Sequence, residues 1–109
     1  MTSENRRGAQ ARFVGLAEAM AAEAFGVNMI EMRTRTRRHR APEARQVAIY
    51  LAHTVCGISL RALSRFLGRH PSTAIHACRQ VEARRDRAEF DRALDRMERQ
   101  LRRAVEARP

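Results

Sequence analysis

The sequence predicts an all-α, single-domain protein: a helical bundle built around a helix-turn-helix. Three observations predict it. Apolar residues recur at helical spacing in successive segments, as in Phe13, Leu16 and Met20, or Val47, Leu51 and Val55. The stretch from Gly57 to Arg79 carries, in order, a helix-capping serine, an apolar helical face, a glycine exit and a proline restart. Arginine is concentrated around that stretch, with ten arginines and only Glu43 as a carboxylate between Arg33 and Arg79. At 109 residues the chain is long enough for one core and leaves no room for a second catalytic lobe.

Taken in order, residues 1–10 are polar, carry Arg6 and Arg7 and show no apolar period, so they are expected to form a flexible basic tail. Residues 11–107 form the domain. Phe13, Leu16, Met20 and Ala24 predict an amphipathic helix ending near Phe25 and Gly26. Asn28 is placed to cap a short turn over Met29 to Met32, whose apolar side chains are expected in the core. Arg33 to Arg40 follow without an apolar anchor, as a basic loop that cannot pack inward. Such a loop suits phosphates or a narrow minor groove, where negative potential attracts arginine. Pro42 opens the next helix, with Val47, Leu51 and Val55 flanked by Ala44, Ala48 and Ala52 as a wide buried stripe. Arg45 and Gln46 lie one turn in and are candidates for backbone contacts, one through charge and one through its amide.

Ser59 is expected to cap the first helix of the helix-turn-helix, with Leu60, Leu63, Phe66 and Leu67 on one face. Gly68 ends it, because glycine tolerates the left-handed backbone of a sharp exit, and Pro71 starts the second helix. Ile75, Cys78 and Val81 are expected inward, leaving Ser72, Thr73, His76 and Arg79 on or near the opposite face, an arrangement suited to a helix in a major groove. Asp86 to Ala107 are predicted as a last helix with Phe90, Leu94, Met97, Leu101 and Ala104 as its stripe and Asp95–Arg99 and Glu98–Arg102 as i,i+4 pairs. Two heptads are marginal as an isolated coiled coil, so this helix is expected to pack back on the domain, with a dimer or partner seam through residues 88–105 as the alternative.

The formal charge of +10 comes from 22 basic residues, all arginine, against 12 acidic ones. Clustered as it is, this charge points to a polyanion. With four Phe, one Tyr and no Trp, stacking on splayed bases is poorly supplied, so duplex DNA is favoured over single strands or RNA. Cys56 and Cys78 fit a reduced cytosolic protein rather than a disulfide framework. No signal peptide is visible, and the early apolar stretch from Phe13 to Val27 is broken by Glu18 and Glu23 and too short for a bilayer. His53-x-x-Cys56 and His76-x-Cys78 raise a zinc site, but the second pair points to different faces of its helix and cannot readily close a tetrahedron, and no third group orients a Cys/His nucleophile. Neither a cofactor nor an enzymatic activity is expected.

Arg45-Gln46-Val47-Ala48-Ile49-Tyr50-Leu51-Ala52 and His76-Ala77-Cys78-Arg79-Gln80-Val81-Glu82 resemble the C-terminal DNA-binding domain of the bacterial replication initiator family DnaA. The likeness extends more weakly to Phe25-Gly26-Val27 with the basic loop, and to the helix around Phe90. It implies a Trp-repressor-like helical bundle, with Arg37 entering the minor groove, Arg45, Gln46, Thr73 and His76 holding phosphates, and Arg69 and Ser72 at the start of the recognition helix. The full set of candidate DNA-binding residues is Arg37, Arg45, Gln46, Ser59, Arg69, His70, Pro71, Ser72, Thr73, His76 and Arg79. Two departures stand out. His70 and Pro71 take the places of a family Asp and His that read bases, and the stretch from Leu63 to Arg69 is one residue shorter. The chain also has no Gly-x-x-x-x-Gly-Lys-[Ser/Thr] segment and no lysine, hence no nucleotide site of that kind.

The expected function is sequence-specific binding of double-stranded DNA by a DnaA-C-terminal-like domain used alone, in regulation of replication initiation or transcription. The expected location is cytoplasmic and nucleoid-associated. The alternatives are a transposase-type or phage-type helix-turn-helix regulator, or a protein-interaction module working through the terminal helix.

Overall fold

Six helices follow one another in the computed structural model, which describes residues 3–107: α1 (Ser3–Phe25), α2 (Met29–Arg33), α3 (Ala41–Thr54), α4 (Leu60–Leu67), α5 (Pro71–Arg84) and α6 (Ala88–Glu106). No strand occurs among the described residues. α3 is the centre of the bundle. It packs against α1 on one side and α5 on another, while α4 leans on α5 and α6 lies along α1. Eight of its residues are buried, from Ala41 through Ala52, because Ala, Val, Ile and Leu occupy nearly its whole circumference and nothing charged interrupts them after Arg45. The core it organises includes Val14, Ala17 and Ala21 of α1, Leu63 of α4, Ala74, Ala77 and Val81 of α5, and Leu94 and Leu101 of α6.

The helix ends are set by local chemistry. Asn28 caps α2 with a full capping box: its Oδ1 accepts the Glu31 N–H at 2.8 Å, and Glu31 Oε1 accepts the Asn28 N–H at 3.1 Å. Ser59 caps α4, its Oγ accepting the Ala62 N–H at 3.0 Å. Gly68 leaves α4 in the left-handed region at φ 64°, which lets its N–H and that of Arg69 return to the last carbonyls of the helix. Pro71 then occupies the first turn of α5.

Four expectations are corrected. α1 begins at Ser3, so residues 3–10 are helical rather than a tail; Met1 and Thr2 lie outside the described residues. A nucleated helix propagates through Arg, Ala and Gln without needing an apolar period of its own. Met29 and Ile30 are not core residues, being 36% and 76% exposed; Met32 alone of that turn is buried. In α4 the deepest pair is Leu63 and Ser64, the serine hydroxyl being satisfied by the Leu60 carbonyl at 2.8 Å, and Phe66 is turned outward at 49% exposure. In α5 the buried stripe is Ala74, Ala77, Cys78 and Val81, which rotates Ile75 to the outer face.

α6 packs back on its own domain. Leu94, Met97 and Leu101 are buried, and Arg12 of α1 donates to the Ala104 and Ala107 carbonyls at its C-terminal end, both at 3.3 Å. Its apolar face is therefore used internally, which leaves a dimer or partner seam through residues 88–105 without an apolar surface. The expected i,i+4 pairs give way to a longer-range device. Arg85, at the end of α5, donates to Asp91 at 2.6 Å, to Asp95, to Glu98 at 3.1 Å and to the Tyr50 hydroxyl at 3.1 Å. Burial works against its charge, but the hydrogen bonds it donates to Asp91, Tyr50 and Glu98 outweigh it and raise its pKa. One guanidinium thus ties α5, α3 and α6 together.

Candidate nucleic-acid interface

A groove of about 750 Å³ opens between the loop after α2, the first turns of α3 and the α4–α5 turn. Seven of the eleven candidate residues line it together: Arg37, Arg45, Gln46, Arg69, Ser72, Thr73 and His76. Arg33 and Arg35 add to its charge, and the one carboxylate among its described lining residues, Glu18, is buried and paired with Arg33 at 3.2 Å. Ile49, Leu63 and Ala77 form its apolar floor. The remaining four candidates lie outside its lining. His70, Pro71 and Arg79 are exposed at the start and outer face of α5, and Ser59 lies in a separate depression with Arg65.

Arg45 does more than present a charge. Its Nη1 donates to the Glu31 carbonyl at 2.8 Å and its Nη2 to the Thr36 carbonyl at 2.6 Å, so it clamps the last turn of α2 and the middle of the basic loop onto α3. Its pKa is lowered first by burial and then by the neighbouring Arg69 and Arg37. Three guanidinium groups from a loop, a helix and a turn therefore face a common space and repel one another, an arrangement whose electrostatic cost an anion relieves. The sequence showed Arg45 as a charge on a helix; the two carbonyls it holds are nine and fourteen residues away and leave no local signal.

Gln46 is oriented by Arg84, whose Nη2 donates to its Oε1 at 2.7 Å, so the amide nitrogen is left to donate outward. At the start of α5, His70 is itself the cap. Its Nδ1 accepts the Ser72 N–H at 3.1 Å and lies 2.8 Å from the Ser72 hydroxyl. That requires the proton on Nε2, which makes the outer edge of the ring a donor where a carboxylate would have been an acceptor. Pro71 forbids a backbone donor at the next position. The face of α5 beyond this cap carries Ser72, Ile75, His76 and Arg79, of which Ile75, 38% exposed, had been expected inward. Ala74 and Ala77 hid the true stripe, since alanine fits either face.

The other chemistry is structural. His53 Nδ1 donates to the Ile58 carbonyl at 2.8 Å, which commits that nitrogen to the α3–α4 connection. Cys56 and Cys78 are free thiols; burial, with a smaller contribution from Glu82, pushes Cys78 up to about 11, and burial raises Cys56, so neither is an activated nucleophile. Among the described residues no three His, Cys, Asp or Glu side chains are grouped to hold a metal, and no helix is long and apolar enough to cross a membrane.

Residues 18–81, more than half of the chain and the whole stretch from mid-α1 to the end of the α5 core, match the family model described as the bacterial DnaA protein helix-turn-helix. The chain belongs to the DnaA helix-turn-helix family. Among similar proteins, the chromosomal replication initiator protein DnaA 2 of Chlamydia trachomatis serovar D is 38% identical over 61 residues, 56% of this chain and 13% of that protein. The initiator protein DnaA of Desulfatibacillum aliphaticivorans is 33% identical over 76 residues, 70% of this chain and 17% of that protein. The fold agrees. A crystal structure of a DNA replication initiation factor superposes with TM-score 0.81 over 94% of this chain and 32% of that one, at 28% identity. A replication initiator DnaA bound to AMPPCP and single-stranded DNA gives TM-score 0.80 over 94% of this chain and 31% of that one, at 24% identity.

The present chain thus spans about a seventh of the DnaA relatives and corresponds to their helix-turn-helix part. Its 109 residues do not include the DnaA ATPase module, and the DnaA helix-turn-helix domain is non-catalytic. Membership of the DnaA family also takes the place of the transposase-type and phage-type alternatives, since the match extends through α3 and into α1, well beyond a generic reading head.

Proposed function

We propose that this chain binds double-stranded DNA sequence-specifically, as a DnaA-type domain acting in the nucleoid to regulate replication initiation or transcription. One observation carries the proposal: Arg37, Arg45, Gln46, Arg69, Ser72, Thr73 and His76 share a groove in which the only carboxylate among the described residues is already paired. α5 enters the major groove by its N-terminal end, as recognition helices do. Ser72 and Arg69 address base edges, with Ile75 suited to a thymine methyl, while Arg45, Gln46, Thr73 and His76 hold phosphates and Arg37 reaches the minor groove.

His70 gives the domain its own preference. A capping imidazole presents a donor from Nε2, which fits a base acceptor, and in the DnaA family an acidic residue stands at this place. The recognised sequence therefore differs from the usual DnaA box at the position facing His70.

Titration of a labelled random-sequence duplex at several salt concentrations tests the electrostatic part. The expected result is a linear fall of log affinity with log salt, and a slope reduced by about one in the Arg45→Ala variant, which loses the cation assigned to a phosphate. A salt-independent signal, or a variant with an unchanged slope, contradicts the assignment.

A further inference from the structure

The helical start of α1 leaves a second basic depression that the reading head does not use. Arg6, Arg7 and Gln10 of α1 meet Ser59, Ala62, Arg65 and Phe66 at the beginning of the helix-turn-helix. Among the described residues no carboxylate lines it, and Arg6, Arg7 and Arg65 take part in no ion pair. The contrast with α6 is informative, since there Asp91, Asp95 and Glu98 are interleaved with arginines and bound by Arg85.

Helical geometry explains how the two sites join. Ala11, Val14 and Glu18 of α1 border the main groove, and the same face continues one turn further back to Arg7 and Gln10. Phe66, half exposed on α4, lines both depressions and is the ridge between them. The Ser59 oxygen accepts the Ala62 N–H, so its hydroxyl proton is left to donate. Residues 5–8 of α1 are exposed and add nothing to the core, so folding alone gives no reason for two arginines there.

We infer that Arg6, Arg7 and Arg65, with Gln10 and Ser59, form a second phosphate clamp that grips the DNA backbone flanking the segment read by α5. This rests on the duplex-binding function proposed above and extends it. The partner is the same DNA molecule because the depression is continuous with the groove through Phe66 and the polar groups of its described lining are three arginines, an amide and a hydroxyl. Phosphates carry no sequence information, so the clamp adds affinity and fixes register without changing which bases are preferred.

The test uses the full chain carrying Arg6→Ala and Arg7→Ala, since alanine preserves the helix. Wild type and variant are titrated on a random duplex and on the best selected sequence at several salt concentrations. The expected result is a salt slope smaller by about two, with an affinity roughly tenfold lower on both duplexes at about 150 mM salt. Phosphate contact sites, mapped by ethylation interference, should shrink on one flank. An unchanged slope in the variant while the wild type binds DNA overturns the clamp and leaves the reading head standing. A shift in sequence preference also overturns it, and a wild-type chain that binds no duplex overturns both.

Discussion

Replacing Arg45 by alanine is expected to weaken duplex binding about 100-fold at about 150 mM salt, which corresponds to about 2.7 kcal/mol. Two losses combine. The groove loses the central one of three convergent guanidinium groups, and the basic loop loses the two hydrogen bonds, to the Glu31 and Thr36 carbonyls, that fasten it to α3. Charge-assisted bonds of this kind contribute roughly 1.5–3 kcal/mol each to the geometry they hold. With the loop released, Arg35 and Arg37 must be ordered at the moment of binding, and that entropy opposes affinity. Arg37→Ala serves as the reference. That side chain is exposed and anchors nothing, so its loss is expected to cost about tenfold, the scale of one phosphate or minor-groove contact. Arg45→Lys separates the two effects: it keeps the charge but cannot span both carbonyls with a planar fork, so it should recover only part of the affinity. Equal losses for Arg45→Ala and Arg37→Ala, or full rescue by lysine, would show that the clamp on the loop contributes nothing.

The largest effect on stability is expected at Arg85. Arg85→Ala should destabilise the domain by about 2–3 kcal/mol in urea unfolding, because it removes the donor to the hydroxyl of the buried Tyr50 and leaves the half-buried Glu98 with only the Thr54 hydroxyl, 3.3 Å from its other oxygen. Asp91 and Asp95 are more exposed and recover hydration, which keeps the cost below that of a fully buried triad. The lost packing of the guanidinium over the Tyr50 ring, 5.8 Å from its centroid, adds to the loss. The sign of the pH dependence follows from the raised pKa: the stabilisation is complete below the unfolded-state value of Arg and is lost only as pH rises through the folded one, beyond about 12. The difference between wild type and variant should therefore not change between about pH 7 and 10. A variant as stable as the wild type would mean that the ion pairs are surface decoration.

Backbone chemistry was the most legible part of the sequence. Asn28, Ser59, Gly68 and Pro71 each act within four residues of themselves, and each performs the capping or restarting step its residue type predicts. The seven residues that meet in the groove were legible as types, because hydroxyls and arginines at a helix start have few other uses. What stayed hidden depends on contacts distant in sequence. Arg45 clamping Thr36, Arg85 gathering three carboxylates of α6, and Arg84 orienting Gln46 across 38 residues leave no periodic trace. The misplaced apolar residues have separate causes. In the alanine-containing α5 the buried stripe rotates by one position at little cost, which brings Ile75 to the surface, whereas in α4 Leu63 and a self-satisfied Ser64 take the buried face and turn Phe66 outward. Both border the proposed DNA surface, and a departure from the core pattern is most expected where function competes with burial.

Selection of bound sequences from a random duplex library at about 150 mM salt, where phosphate-only binding is suppressed, tests sequence-specific recognition most directly. The expected result is one enriched motif for the wild type, whose base at a single position changes in His70→Asp and whose overall enrichment falls in Ser72→Ala. A library that emerges without any enriched motif would contradict it, as would a motif indifferent to both substitutions.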